Sequence, residues 1–86
     1  MFKNKKILIT GGTGSLGNAL TQRLLEQGVD TIRIFSRNES KQLEMESKFN
    51  DDRLRFLIGD VRDYERLERA VEDIDIVFHA AALKHV

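Results

Sequence analysis

The sequence LITGGTGSLG, residues 8–17, passes from a run of apolar residues directly into a loop that holds four glycines. A predicted strand ends just before this loop and a predicted helix begins within it, which is the setting where such a pattern indicates dinucleotide binding. Gly11 permits the tight turn after the strand, Gly14 lets the backbone approach a pyrophosphate, and Gly17 permits close packing of the helix. The amides at the positive end of the helix then face the phosphates.

The remaining residues of this loop complete the predicted phosphate-binding segment, and they are Thr13, Ser15 and Leu16. The two hydroxyl groups offer further hydrogen bonds to phosphate. A glycine-rich turn without a ligand is the alternative interpretation, but the flanking strand and helix favour the ligand.

Short β-rich runs alternate with helical patterns along the chain, which is typical of an α/β protein. Strands are predicted at about residues 6–10, 31–36, 54–58 and 75–80, with helices between them. With right-handed crossovers, these elements form a parallel sheet of about four strands in the order 3-2-1-4, with helices on both faces. Residues 1–86 are therefore expected to be one incomplete dinucleotide-binding domain, the first part of a Rossmann-type fold.

The three predicted helices differ in how much apolar surface they offer to the sheet. A capping box from Ser36 to Glu39 opens the second helix, which has few apolar residues and is expected to be largely exposed. The first helix runs to about Gln27, and Asp63 caps the third. Apolar side chains are expected to bury one face of the first and third helices, and they are Leu16, Ala19, Leu20, Leu24 and Leu25, and Leu67, Ala70, Val71 and Ile74.

Composition excludes several classes of function. Fourteen basic and fourteen acidic residues cancel, so no net charge draws the chain to nucleic acid or to an anionic membrane. The chain contains no cysteine and no targeting pattern, which favours the cytoplasm, and its first apolar run is too short to span a membrane. His79 and His85 have no third ligand near them in the sequence, so no metal site is predicted.

The threonine followed by Gly-Gly-x-Gly-x-x-Gly resembles the loop of extended short-chain dehydrogenases/reductases. In such folds an acidic residue after the second strand holds the ribose of NAD, whereas a basic residue accommodates the 2′-phosphate of NADP. Here Ser36, Arg37 and Asn38 include no carboxylate, and Lys41 follows one helical turn later. Because a guanidinium binds phosphate with paired hydrogen bonds, we predict NADP over NAD. The alternative for Arg37 is an ordinary solvated arginine.

The same resemblance assigns residues after the third and fourth strands to the cofactor. It implies that Asp60 and the backbone of Val61 contact the adenine, although a turn or cap role is the alternative for Asp60. Lys84 would point toward the sugar or nicotinamide, with a solvated lysine as the alternative. Small side chains at the end of the fourth strand let the backbone approach the central ribose and phosphate, or simply pack closely, and they are Ala80, Ala81 and Ala82.

Four stretches together, residues 10–17, 36–39, 56–63 and 80–86, resemble the amino-terminal portion of the UDP-N-acetylglucosamine 4,6-dehydratases and related polysaccharide-biosynthesis proteins. The resemblance implies a complete enzyme that oxidises C4 of the sugar with NADP, eliminates water across C5 and C6, and returns the hydride to C6. Such chemistry uses a Tyr-x-x-x-Lys pair, but Tyr64 is followed by Glu68. No catalytic residue is therefore placed on this chain.

Two other functions stay open at this point. One is a nucleotide-sugar 4-epimerase or reductase of the same superfamily, and the other is a dinucleotide-binding module without catalysis. The apolar run Ile76–Phe78 in the last predicted strand is expected to leave an unguarded sheet edge, which predicts self-association of the chain.

Overall fold

The computed structural model describes residues 1–80, and its strands and helices alternate as predicted. The strands are β1 (Lys6–Thr10), β2 (Thr31–Ser36), β3 (Leu54–Ile58) and β4 (Ile76–His79). The helices are α1 (Ser15–Glu26), α2 (Glu39–Phe49) and α3 (Tyr64–Val71). All neighbouring strands run parallel in the order β3-β2-β1-β4, which confirms the predicted 3-2-1-4 sheet.

Helices cover both faces of the sheet. Since successive side chains of a strand point to opposite faces, neighbouring residues of one strand pack against different helices. Ile9 of β1 packs in one buried cluster with Leu24 of α1 and Met45 of α2. Leu8, its neighbour in the chain, packs on the other face with Ala70 of α3. Complete burial of a side chain such as Leu8 contributes roughly 1.5–3 kcal/mol to stability, so β1 anchors both layers.

The buried face of α1 differs from the predicted one. Leu16 and Ala19 are exposed, whereas Gly17, Thr21 and Leu24 are buried against the sheet and the glycine loop. The prediction was wrong about Leu16 and Ala19 because it followed apolar residues alone. Glycine at position 17 is small enough to let the helix approach the backbone of the loop at Gly12, and this contact orients α1.

The start of α2 also differs from prediction. The N-cap is Asn38, whose Oδ1 accepts a hydrogen bond from the Lys41 amide at 3.0 Å, so the predicted capping box beginning at Ser36 was wrong. Ser36 stays in β2, where it is buried. Most of α2 is exposed as predicted, but Gln42 and Met45 are buried against the sheet.

Helix α3 is shorter than its apolar pattern suggests. Asp63 is its N-cap, as predicted, but the helix ends at Val71, and Asp73 adopts a left-handed conformation with φ of 62°. Val71 is exposed rather than buried. Ile74 lies beyond the helix and still packs in the cluster with Leu8. Within residues 1–80, none of the helices has the length and apolar character needed to cross a bilayer.

Candidate functional site

Three loops meet at the carboxyl edge of the sheet, where α/β folds bind ligands. The amide of Gly11, just after β1, donates to the Phe35 carbonyl oxygen at 2.8 Å. The amide of Gly59, just after β3, donates to the Ser36 carbonyl oxygen at 2.9 Å. These two bonds extend the parallel pairing beyond the strands, so the ends of β1, β2 and β3 are held side by side.

A cleft of about 510 Å³ opens between these loops. Its walls come from the glycine loop, the end of β2 and the segment after β3. The lining residues are Gly11, Thr13, Phe35, Ser36, Arg37, Asn38, Gly59, Asp60, Val61 and Arg62. The structure thus brings together seven of the predicted cofactor residues, drawn from three separate stretches of the sequence: Gly11, Thr13, Ser36, Arg37, Asn38, Asp60 and Val61.

The glycine loop has the backbone geometry that its sequence demands. Gly11 has φ of 66°, in the left-handed region that disfavours other residues. A Cβ atom on Gly17 would lie 2.1 Å from the carbonyl oxygen of Gly12, so α1 can pack this closely only with glycine there. Gly14 is the N-cap of α1 and has no side chain with which to cap the first-turn amides, which leaves them available to an anion.

Asn18 holds the glycine loop onto α1. Its side-chain Nδ2 donates to the carbonyl oxygens of Thr13 at 3.2 Å and Gly14 at 2.9 Å. Both oxygens are thereby turned toward the helix, and their peptide groups are fixed. Asn18 was not among the predicted site residues, although a polar residue in the first turn after a glycine loop is a signal for such a contact.

Asp60 is the most heavily hydrogen-bonded charged group at the cleft. Arg62 donates to Asp60 Oδ1 from its backbone amide at 2.9 Å and to Oδ2 from Nη2 at 2.8 Å. The Nη1 atom of Arg37 lies 3.7 Å from the same Oδ2. Hydrogen bonds from Arg62, reinforced by the charges of both arginines, lower the pKa of Asp60 from its ordinary value of 3.8 to about 2. The carboxylate is therefore ionised at neutral pH.

Lys41 lies in a neighbouring groove and not in the cleft with Arg37. This groove, of about 570 Å³, runs between α1 and α2, and its wall also includes Gly14 and Ser15. Thr13 lines both spaces. The basic side chains of Arg37 and Lys41 therefore flank the glycine loop from two directions.

The other predicted site residues divide into those with a structural position and those outside the described part of the chain. Gly17 is buried under the loop, and Leu16 is exposed on α1 and lines neither space. Ala80 is buried in the core, in agreement with the close-packing interpretation of this strand end. Ala81, Ala82 and Lys84 lie outside the described residues.

Two contacts at the end of β2 have no clear signal in the sequence. The buried side chain of Gln42 donates from Nε2 to both Ser36 Oγ and the Leu57 carbonyl oxygen, each at 2.9 Å. A Cβ atom on Gly59 would lie 2.6 Å from the ring of Phe35, so the aromatic ring fills the space beside that glycine. The sequence around Gln42 shows only a polar residue on a charged helix, and that around Gly59 only a glycine after a strand. Neither pattern predicts the partner that the structure shows.

Comparison with known proteins assigns the fold and site to a family. A family model described as "Polysaccharide biosynthesis protein" matches residues 7–86. The chain belongs to this family. A UDP-N-acetylglucosamine 4,6-dehydratase (inverting) of Campylobacter jejuni is 58% identical over 87 residues, which is 100% of this chain and 26% of the relative. A UDP-glucose 4-epimerase of Rickettsia conorii is 51% identical over 90 residues, again 100% of this chain and 26% of the relative.

A further relative, described as an uncharacterized membrane protein of Methanocaldococcus jannaschii, is 52% identical over 85 residues, covering 99% of this chain and 26% of that protein. The chain thus spans about a quarter of the length of these relatives. The resemblance to the dehydratases and polysaccharide-biosynthesis proteins that the motifs indicate is confirmed.

Solved structures share the architecture. The X-ray structure of Pen from Bacillus thuringiensis superposes with a TM-score of 0.90 at 45% identity, covering 99% of this chain and 28% of that one. WbmF of Bordetella bronchiseptica, solved with NAD⁺ and UDP, gives 0.76 at 27% identity, covering 91% and 23%. A short-chain dehydrogenase/reductase (wide type) of Veillonella parvula, solved with NADP, gives 0.73 at 26% identity, covering 87% and 34%.

Proposed function

We propose that this chain is the NADP-binding amino-terminal segment of a nucleotide-sugar 4,6-dehydratase that acts on UDP-N-acetylglucosamine. The observation that carries the proposal is the cleft at the carboxyl edge of the sheet, where the glycine loop, Arg37 and Asp60 converge. The 58% identity to the Campylobacter dehydratase supports the substrate class. Membership of the polysaccharide-biosynthesis family supports a role in making surface polysaccharide or glycan.

The residues of the cleft and loop fit the separate parts of a dinucleotide. The first-turn amides of α1, with Thr13 and Ser15 nearby, would hold the pyrophosphate. Asp60 would accept a hydrogen bond from the adenine amino group beside the Val61 backbone, and Ser36, which lines the same cleft, would face the ribose. The nicotinamide supplies hydride transfer at the sugar when the cofactor is bound. In this segment the described residues bind and orient the adenine half of the cofactor.

Charge at the end of β2 favours NADP over NAD. The neighbours solved with cofactor include one with NAD⁺ and one with NADP, so the fold accepts either dinucleotide. Arg37 and Asn38 line the cleft without a carboxylate of their own, and Arg37 is 74% exposed, which leaves its guanidinium accessible to a phosphate. Asp60, which would face the adenine, already accepts a hydrogen bond from Arg62.

A nucleotide-sugar 4-epimerase is the second candidate, because the rickettsial relatives with that name are about as similar as the dehydratases over the same segment. Both reactions begin with oxidation at C4, so this segment would serve either enzyme in the same way. For either enzyme, the proposed substrate is a nucleotide sugar and the proposed location is the cytoplasm. The chain is also proposed to associate with a second copy of itself through an open strand edge.

Titration of NADP and NAD against the chain tests the cofactor assignment. We expect NADP to bind more tightly than NAD. Arg37→Ala is expected to lower the ratio of the two affinities about tenfold, because a charge-assisted hydrogen bond to the 2′-phosphate is lost. Arg69→Ala, on a helix outside the cleft, is the matched control and is expected to leave both affinities unchanged. Equal affinity of the unmodified chain for NADP and NAD would contradict the assignment.

Turnover tests the enzyme class. The complete protein that carries this segment is expected to convert UDP-N-acetylglucosamine to a 4-keto-6-deoxy sugar, which NMR of the product identifies. A product epimerised at C4 with C6 still hydroxylated would favour the epimerase instead.

A further inference from the structure

Arg62 encloses Asp60 with contacts from both its main chain and its side chain. The backbone amide and Nε of Arg62 donate to Oδ1 at 2.9 and 3.2 Å, while Nη2 donates to Oδ2 at 2.8 Å. This arrangement closes a local ring within the turn after β3, where the Asp63 amide also donates to the Asp60 carbonyl oxygen at 2.9 Å. Both oxygens of the Asp60 carboxylate therefore accept hydrogen bonds from Arg62, although the Arg62 side chain is itself 81% exposed.

Arg37 is only loosely engaged by the same carboxylate. Its Nη1 lies 3.7 Å from Oδ2, beyond hydrogen-bond distance, and its side chain is 74% exposed. Among the described residues, these two arginines are the cations within 4.0 Å of Asp60. The two guanidinium groups thus compete for one anion, and Arg62, two residues further along the chain, forms the hydrogen bonds to it.

We propose that Arg62 is a positioning residue for cofactor selectivity: by occupying the Asp60 carboxylate, it keeps the Arg37 guanidinium available for the 2′-phosphate of the cofactor. This inference rests on the proposed NADP binding. It assigns a role in selectivity to Arg62, a residue whose hydrogen bonds go to Asp60 and not to the glycine loop or the end of β2. It assigns to the Arg62 side chain a role beyond that of a solvated surface arginine.

Removal of Arg62 has a defined electrostatic consequence. Asp60 is left with Arg37 as its nearest described cation, and the 3.7 Å separation can close to a direct hydrogen-bonded pair by rotation of an exposed side chain. A paired Arg37 offers fewer donors to a phosphate, and the carboxylate, without the positive charge of Arg62 beside it, lowers the net positive charge that faces the phosphate dianion. The 2′-phosphate contact is weakened, whereas the adenine contacts remain.

The experiment compares two small probes that differ only in the group of interest, adenosine 2′,5′-bisphosphate and 5′-AMP. Their affinity ratio measures the 2′-phosphate contribution and cancels the shared adenine and ribose contacts, including those that Asp60 makes. Calorimetric titration is run on the 86-residue chain and on Arg62→Ala, Arg62→Lys and the double variant Asp60→Asn with Arg62→Ala. Arg69→Ala serves as the charge-matched control outside the cleft.

We expect the ratio to fall about tenfold in Arg62→Ala, since a charge-assisted contact is lost. Arg62→Lys keeps the positive charge and is expected to retain most of the preference. The double variant removes the competing carboxylate and is expected to restore the ratio, because Arg37 is free again.

Two results overturn the inference. An unchanged ratio in Arg62→Ala shows that Asp60 does not compete for Arg37. A fall that the double variant does not restore shows that Arg62 acts on the phosphate by itself. Failure of the proposed cofactor is recognised separately, because the unmodified chain then gives equal affinities for the two probes and Arg37→Ala leaves them unchanged.

Discussion

At Gly17 a single hydrogen atom decides how closely α1 approaches the loop that precedes it. The position of an added Cβ lies 2.1 Å from the Gly12 oxygen and 2.5 Å from the Gly12 Cα, and both are backbone atoms that cannot rotate away. The same contact fixes which face of α1 is buried. One residue therefore couples the shape of the phosphate-binding loop to the packing of the first helix.

We expect Gly17→Ala to destabilise the fold by about 1–3 kcal/mol or more, because the loop and helix must separate to admit the methyl group. Urea denaturation followed by circular dichroism measures the loss. Gln22→Ala, on the exposed side of the same helix, is the control and should change stability by no more than about 0.5 kcal/mol. Similar stabilities for the two variants would refute the contact.

The Asp60 carboxylate gives a pH dependence of known sign. Its pKa is lowered from 3.8 to about 2 in the folded chain, chiefly by the Arg62 hydrogen bonds. The stabilisation from this pair is therefore present above the ordinary pKa and is lost as the pH falls toward 2. We expect the ¹³C carboxyl resonance of Asp60 to titrate near pH 2, and Arg62→Ala to move its midpoint upward. An unshifted midpoint in that variant would assign the effect to another group.

At the scale of the element, α2 is a charged helix held to the sheet by a polar side chain. Gln42 spans the end of β2 and the end of β3 through bonds to the Ser36 hydroxyl and the Leu57 carbonyl oxygen. Met45 adds an apolar contact one turn later. The position of Arg37, directly after Ser36, thus depends on a helix that contributes little apolar surface.

Gln42→Leu is expected to cost about 1–3 kcal/mol of stability, because it leaves a buried carbonyl and hydroxyl without their donor. Leu43→Ala, the next residue of the same helix, is 57% exposed and is expected to change stability by less than about 0.5 kcal/mol. Chemical denaturation of both variants provides the comparison. A larger loss of stability in Leu43→Ala than in Gln42→Leu would contradict the assigned orientation of α2.

Strands were predictable from the sequence because each is a short run rich in apolar residues, and most side chains of β1 and β2 are buried. The buried faces of the helices were less predictable than the strands. The apolar pattern misassigned Leu16 and gave no indication of Gln42, because a small residue beside a backbone, or a bridging amide, is selected by its tertiary neighbours. Asn38, and not Ser36, is the N-cap of α2, because Ser36 is still part of β2 and pairs with Ile58 of β3.

At the scale of the whole molecule, the order β3-β2-β1-β4 creates the candidate site. Residues near positions 11, 37 and 60 are far apart in the chain and become neighbours only because β1, β2 and β3 are adjacent and parallel. The alternation of strands and helices, with right-handed crossovers, was enough to predict this strand order, and the family resemblance pointed to Asp60. The separation of Lys41 into the α1–α2 groove was not predictable, since it depends on the direction in which α2 leaves the sheet.

In the described chain β4 pairs with β1 along one side, and its Val77 side chain is 50% exposed. We expect the 86-residue chain to self-associate through this edge strand, and Val77→Lys to shift it toward monomer in sedimentation equilibrium. Val71→Lys, a partly exposed valine on α3, is the matched control and should not alter association. A monomer at all concentrations for the unmodified chain would contradict self-association.

The Phe35 ring occupying the space beside Gly59 couples two positions that are distant in the sequence. Any side chain at position 59 would meet an atom of that ring at 2.6 Å, so enlargement there is tolerated only if position 35 shrinks at the same time. The part of the cleft beside Gly59 is therefore expected to be reshaped more readily by exchanging both residues together than by replacing either one alone. Directed libraries that aim to alter the nucleotide pocket should randomise both codons together.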